Sequence, residues 1–146
     1  YEVGGVFITG LPTYRDNKRG KKRGENTIYT YHVNGLALCH LGDLGHVPTQ
    51  SQIEAIGPVH VLLIPVGIPD GLTISMASEI ISLTEPNVII PMDYATPDLK
   101  LKRNSPGRFL KEMGISSQEK GEESVTISSS SIPDETEIIL LEPKKD

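Results

Sequence analysis

The chain changes its hydrophobic rhythm after His46. Before that point, short segments set β-branched and aromatic residues beside polar ones, with the period expected of half-buried strands. Val3 to Thr9 is the first such segment, Thr27 to Val33 the second and Leu36 to Leu41 the third. Asn34-Gly35 joins the last two as a two-residue hairpin, because both residues tolerate positive φ. Gly10 to Glu25 is polar, glycine-containing and basic, and reads as a loop. These segments predict an antiparallel unit.

Beyond His46, continuous apolar runs alternate with helical patterns. Thr49 caps a predicted helix through Ile56, which Gly57-Pro58 stops. Val59 to Val66 and Asn87 to Met92 are apolar runs of the kind buried on both faces of a sheet. Between them, Thr73 is a second N-cap, and Met76, Ala77, Ile80, Ile81 and Leu83 supply a helical apolar face ended by Glu85-Pro86. Ser105-Pro106 opens a third helix, with proline at its first position, that runs to Met113 and stops at Gly114. Glu119 to Glu123 reads as a charged loop, and Val125 to Ser128 and Glu137 to Leu141 as two closing strands. The order βββ, αβαβα, ββ predicts an α/β fold in one domain over 1–146: a mixed sheet with helices on one face.

Composition changes this picture little. With 146 residues the chain suits one compact domain. Its net charge of -5 gives no support for nucleic-acid binding, and the basic cluster from Arg15 to Arg23 is local. No apolar run is long enough to cross a bilayer and no signal-peptide pattern is present, so a membrane role is not expected. The single cysteine, Cys39, excludes an internal disulfide and fits a reducing, cytoplasmic setting. The chain opens at Tyr1 directly into a strand pattern, which suggests that an earlier part of the protein precedes it.

The candidate chemistry lies in Cys39-His40-Leu41-Gly42-Asp43-Leu44-Gly45-His46. Two imidazoles and a carboxylate follow an apolar strand within one short segment, and its glycines let the backbone turn and approach a ligand closely. A metal or phosphate site could use this spacing, and so could a strand-to-loop corner that only satisfies backbone groups. Arg23 and the neighbouring lysines could receive a small anionic substrate or form a solvated loop. Cys39 has no adjacent base and orienter to mark a nucleophile, and reads as a buried small residue. No phosphate-binding glycine loop or dinucleotide fingerprint occurs.

Several segments together resemble the metal-dependent hydrolases of the metallo-β-lactamase fold: Gly20 to Tyr29, Cys39 to His46, Leu62-Leu63-Ile64-Pro65-Val66-Gly67, Ile89-Ile90-Pro91-Met92-Asp93-Tyr94 and Arg108 to Gly114. Within that superfamily they look like the L-ascorbate-6-phosphate-lactonase-like branch of zinc-dependent hydrolases. The resemblance implies an αββα sandwich of which this chain is a partial, C-terminal portion. The family's H-x-H-x-D-H signature sits upstream, and its spacing is absent from these residues.

The resemblance also assigns roles. Asp43 matches a carboxylate able to bridge two metal ions. Asp93 stands where the family pattern has a histidine, and an aspartate there can still bind zinc or manganese. Arg15 stands at another histidine position, and a guanidinium has no lone pair for a metal. A pairing of Arg15 with Asp93 across the former metal cavity follows as one expectation. His46 is placed to orient a substrate or support the site. The chain is therefore expected to be a zinc-dependent hydrolase domain that is inactive alone. The competing reading is a degenerate binding or assembly domain. Either way, half of a sandwich is expected to self-associate or to pair with a missing N-terminal half.

Overall fold

The computed structural model describes residues 1–96, 99–114 and 123–142. Seven strands form one sheet in sequence order: β1 (Glu2–Val3), β2 (Val6–Tyr14), β3 (Glu25–Val33), β4 (Leu36–His40), β5 (Val61–Pro65), β6 (Val88–Met92) and β7 (Glu137–Ile138). β1 to β4 run antiparallel, whereas β4 to β7 are mutually parallel. Helices α1 (Gln50–Ile56), α2 (Ile74–Thr84) and α3 (Gly107–Glu112) fill the connections between the parallel strands. The mixed α/β fold expected from the hydrophobic rhythm is the fold observed.

The helices begin where the sequence provides acceptors. Thr49 accepts from the Gln52 backbone N–H while the Gln52 side chain accepts from the Thr49 backbone N–H, a complete capping box. The Thr73 hydroxyl accepts from the Met76 N–H at 3.1 Å. All three helices pack on one face of the sheet. Ile56, Ala77, Ile80, Ile81, Phe109 and Leu110 meet Ile28, Cys39, Leu62, Ile64 and Ile89 there. The register explains this sidedness, because Thr30 pairs with Cys39, Cys39 with Leu62 and Leu62 with Ile89, and paired residues share a face.

The opposite face carries Val61, Val88 and Ile90. Val125, Ile127, Ile139 and Leu141 pack onto it, so the last part of the chain covers some of the face that the half-sandwich expectation left bare. The Tyr94 hydroxyl ties this cover down by donating to the Leu141 carbonyl.

Four elements differ from the sequence reading, one of them the last strand, which is Glu137–Ile138 and not Glu137 to Leu141. The second strand continues through Gly10 to Tyr14, where a loop was expected. Thr13 and Tyr14 pair with Asn26 and Glu25, and Pro12 is tolerated because β1 ends before it and leaves that edge unpaired. A short hairpin precedes this strand through Gly4 and Gly5, both at positive φ. Val125 to Ser128 is not a strand; its apolar residues serve as the cover just described. Of the expected loop at 119–123, residues 119–122 lie outside the described residues.

The topology matters most at one edge. β4, β5 and β6 are parallel neighbours, so the loops that follow them emerge at the same carboxyl end of the sheet. Ligand sites in α/β sheets gather there. Asp43 follows β4 and Asp93 follows β6.

Candidate functional site

The corner after β4 is fixed by buried amide chemistry. The Asn26 side chain is buried in β3; its Nδ2 donates to the Thr13 hydroxyl at 3.0 Å and to the Leu41 carbonyl at 2.9 Å. Its Oδ1 accepts from the Asp43 N–H at 3.0 Å. Gly42 sits against this amide at φ 65°, and a Cβ there would meet Asn26 Oδ1 at 2.6 Å. A side chain on residue 42 would therefore displace the group that holds Asp43.

Asp43 does not cap its own loop. Its Oδ2 faces two guanidiniums, Arg23 Nη2 at 3.5 Å and Arg15 Nε at 3.7 Å. Its Oδ1 is buried and has no hydrogen-bond partner among the described residues. A buried carboxylate oxygen without a donor costs free energy unless something else satisfies it.

The arginines are delivered by the loop between β2 and β3, and Asp16 organises that loop. Its buried carboxylate accepts four backbone N–H groups: Lys18 and Gly20 at 2.8 Å on Oδ1, Lys22 at 2.9 Å and Arg23 at 2.7 Å on Oδ2. Burial pushes the Asp16 carboxyl upward, but these four bonds outweigh it and hold the group well below the ordinary carboxylate range. Lys18, Arg19, Lys21 and Lys22 remain exposed, while Arg23 turns inward. The basic run is thus a solvated loop with one directed arginine at its end.

Because the folded carboxyl is held below its ordinary value of 3.8, this stabilisation is complete above that pH and fades as pH falls toward the folded value. Asp16→Asn is expected to lower the melting temperature at neutral pH and to lose the acid sensitivity contributed by this group. Thermal melts of both proteins across the acid range read the effect, and superimposable acid limbs would contradict it.

His46 joins the same corner. Its Nε2 accepts from the Tyr14 N–H at 3.3 Å, its Nδ1 lies 3.1 Å from the Val47 carbonyl, and the Gly45 N–H donates to the Tyr14 carbonyl at 3.0 Å. His46 therefore supports the backbone that carries Arg15. His40 points to the face opposite Cys39, and its Nδ1 accepts from the Gly42 N–H at 3.1 Å. His60 has a backbone task, accepting from the Ala37 N–H at 2.9 Å. Cys39 is fully buried, and burial raises its thiol to about 11 despite a hydrogen bond from Thr30, so it is no nucleophile.

Asp93 occupies a positive-φ position, φ 53°, at the end of β6. The expected pairing of Arg15 with Asp93 is not formed: the carboxylate that Arg15 meets is Asp43. The cause is the antiparallel pairing of β2 with β3, which sets Arg15 over the β4 corner. Sequence reasoning also passed over Asp16 and Asn26. The signal available for Asp16 was an acidic residue opening a glycine- and lysine-rich loop, a common Asx arrangement.

A cavity of about 740 Å³ lies beside Asp43, with Arg15, Asn26, Thr27, Tyr29 and His40 in its wall. Asp43 Oδ1 is an oxygen of the kind a divalent cation would take. However, among the described residues no three His, Cys, Asp or Glu side chains stand close enough together to hold a metal ion. Two guanidiniums also oppose a second cation at this carboxylate. The described residues therefore do not form a complete metal site.

A mixed sheet covered by helices on one face carries Asp43 at the carboxyl end of a parallel strand, where the β2–β3 loop brings Arg15 and Arg23 against it. The chain belongs to the β-lactamase superfamily domain family, whose model matches residues 1–93. It is 30% identical over 98 residues to a UPF0173 metal-dependent hydrolase of Pyrococcus abyssi, an alignment covering 65% of this chain and 43% of the relative. A second UPF0173 metal-dependent hydrolase, from Pyrococcus horikoshii, is 29% identical with the same coverage. The chain thus spans less than half the length of these relatives.

Among solved structures, a Thermotoga maritima protein assigned to the zinc-dependent hydrolases of the metallo-β-lactamase superfamily aligns with a TM-score of 0.77 and 33% identity. That alignment covers 99% of this chain and 69% of the other. The metallo hydrolase Igni18 of Ignicoccus hospitalis shares the fold at a TM-score of 0.61 and 22% identity.

Proposed function

We propose that the chain is part of a zinc-dependent hydrolase, of the lactone- or phosphoester-cleaving kind found in the L-ascorbate-6-phosphate-lactonase-like branch, and that these 146 residues alone are catalytically silent. Asp43 carries this reading. One of its carboxylate oxygens is buried and unsatisfied, as suits a metal ligand, while the other is held by two arginines. A catalytic zinc needs about three protein ligands and an open position. This chain offers Asp43, with Asp93 as a second carboxylate at the same sheet edge, and completion needs donors beyond the described residues. Family membership and the names of the relatives favour a hydrolase over a purely structural module.

Were further donors to complete the site, Asp43 and Asp93 would help hold the metal, which would supply Lewis-acid chemistry there. The residues of this chain then have separate tasks. Asn26 holds the Asp43 backbone, Asp16 fixes the basic loop, and Arg15 and Arg23 balance the Asp43 charge.

Arg15→His tests the assignment. It removes a cation beside Asp43 and adds an imidazole lone pair. Zinc affinity is expected to rise about tenfold or more, the equivalent of about 1.4 kcal/mol. Calorimetric zinc titrations of both proteins give the answer, and unchanged affinity would remove Arg15 from the metal-facing position.

A further inference from the structure

We infer that the amino end of the parallel strands carries a second binding site, for a small aromatic carboxylate. The His60 Nε2–H and the His32 imidazole receive the carboxylate, and Phe7 stacks on the ring. The site lies at the opposite end of β4 from Asp43 and is independent of the zinc reading.

It begins with an imidazole built into the sheet. His60 precedes β5, and its backbone is fully used. Its N–H donates to the Ala37 carbonyl at 2.9 Å, and its carbonyl accepts from the Asn87 and Val88 N–H groups, each at 2.9 Å. The ring then acts as a further strand carbonyl would, its Nδ1 accepting the Ala37 N–H at 2.9 Å. A nitrogen that accepts carries no proton, so the neutral ring keeps its proton on Nε2. Nε2 has no partner among the described residues. It is not buried either, because the one buried side-chain atom without a partner among those residues is Asp43 Oδ1. A donor fixed by its own backbone therefore reaches the surface. The same tautomer rules out a metal at His60, since the ring's lone pair is taken by Ala37.

His60 lines a cavity of about 410 Å³, within the range of small-ligand sites. Strand register brings the other groups to it. Phe7 pairs with His32, and His32 with Ala37, whose N–H holds the His60 ring. Cross-strand partners share a face, so Phe7, His32 and Ala37 form one row across β2, β3 and β4. His32 is exposed, has no hydrogen-bond partner among the described residues and adds a second donor. Phe7 is 59% exposed, whereas the other phenylalanine, Phe109, is buried in the core.

The wall selects the ligand. Phe7, Ala37 and Pro58 offer apolar surface, and neither Asp nor Glu lines the cavity. Glu2, the partner of Phe7 in β1, is occupied in accepting the Gly5 N–H at 3.2 Å. An aliphatic acid would leave the Phe7 face unused, and a neutral aromatic would leave the imidazole donors unpaired. An aromatic ring bearing a carboxylate uses both. The donor is also held in place before binding, so little ordering is lost.

Sodium benzoate tests this, titrated into the isotope-labelled chain while backbone amide shifts are followed. Benzyl alcohol and sodium acetate supply the ring and the carboxylate separately. Benzoate is expected to bind with a Kd of about 1 mM, ordinary for so few atoms, and about tenfold more tightly than either fragment. The amides of Phe7, His32 and Ala37 are expected to move, and that of Asp43 to stay. Long-range proton–nitrogen correlations of the imidazoles are expected to show His60 protonated on Nε2. His60→Asp keeps an acceptor for the Ala37 N–H and removes the donor. It is expected to weaken benzoate about tenfold or more and to leave benzyl alcohol unchanged, a split that misfolding cannot produce. Phe7→Ala, at an exposed position, is expected to weaken both aromatic ligands about fivefold. Shifts confined to the basic loop, benzoate no tighter than acetate, a His60 ring protonated on Nδ1, or benzoate binding untouched by His60→Asp would each overturn the proposal.

Discussion

Gly45→Ala is expected to unseat the basic loop and to destabilise the fold by about 3 kcal/mol, at the severe end for added atoms in a packed site. Gly45 is buried, and a Cβ on it would run into the Arg15 carbonyl and approach the Asp16 nitrogen at 2.5 Å. These are backbone atoms, so no rotamer change relieves the clash. The strand end from Tyr14 to Asp16 must lift instead. That breaks the Gly45–Tyr14 hydrogen bond at 3.0 Å and the His46–Tyr14 bond at 3.3 Å, and carries Arg15 away from Asp43. The loss is large against a total stability of about 5–15 kcal/mol for a domain. Urea unfolding of the two proteins measures it, and a midpoint unmoved by the substitution would mean that the loop does not seat on Gly45.

The other large effect belongs to the helical layer. Phe109 is 1% exposed in α3, a helix of 6 residues that cannot hold itself together without packing. Truncation to alanine removes most of a buried aromatic and leaves a cavity, with an expected cost of about 3–5 kcal/mol. The consequence reaches the sheet edge. The segment leading into α3 includes Asn104, whose N–H donates to the Gly67 carbonyl at 2.7 Å and whose carbonyl accepts from Ala95 at 2.9 Å. Gly67 in turn packs against the Asp93 carbonyl so closely that a Cβ would meet it at 2.5 Å. Phe109→Ala should therefore both destabilise the protein and loosen the backbone around Asp93. Denaturant unfolding reads the first effect and amide exchange at Ala95 and Asn104 the second. Loss of stability with undiminished protection at those amides would confine α3 to a purely structural role.

The parts of the fold legible from sequence are those decided by local chemistry. Thr49 and Thr73 announced their helices because a hydroxyl acceptor before an apolar helical pattern has few other uses. Val59 to Val66 and Asn87 to Met92 were legible as doubly buried strands because their residues are apolar apart from His60 and Asn87, which lie just before the strands Val61–Pro65 and Val88–Met92. Gly10 and Pro12 hid the continuation of β2, since both discourage a strand unless an edge is free. Val125 to Ser128 has strand composition but covers the sheet with side chains alone. In the site, Asp43 stood out through its glycines. The partnership of Arg15 with Asp43, the fourfold backbone cradle around Asp16 and the Asn26 bridge did not. Each depends on where N–H groups or distant strands point after folding, which spacing along the chain does not encode.

Asp43 is a metal-capable carboxylate guarded by two arginines, and among the described residues it is not part of a complete metal centre. Elemental analysis of protein purified without added metal tests it most directly, with Asp43→Ala alongside. The expected result is zinc well below one per chain and indistinguishable between the two proteins. One zinc per chain, retained through dialysis and lost in Asp43→Ala, would contradict it and would mean that other side chains complete the site.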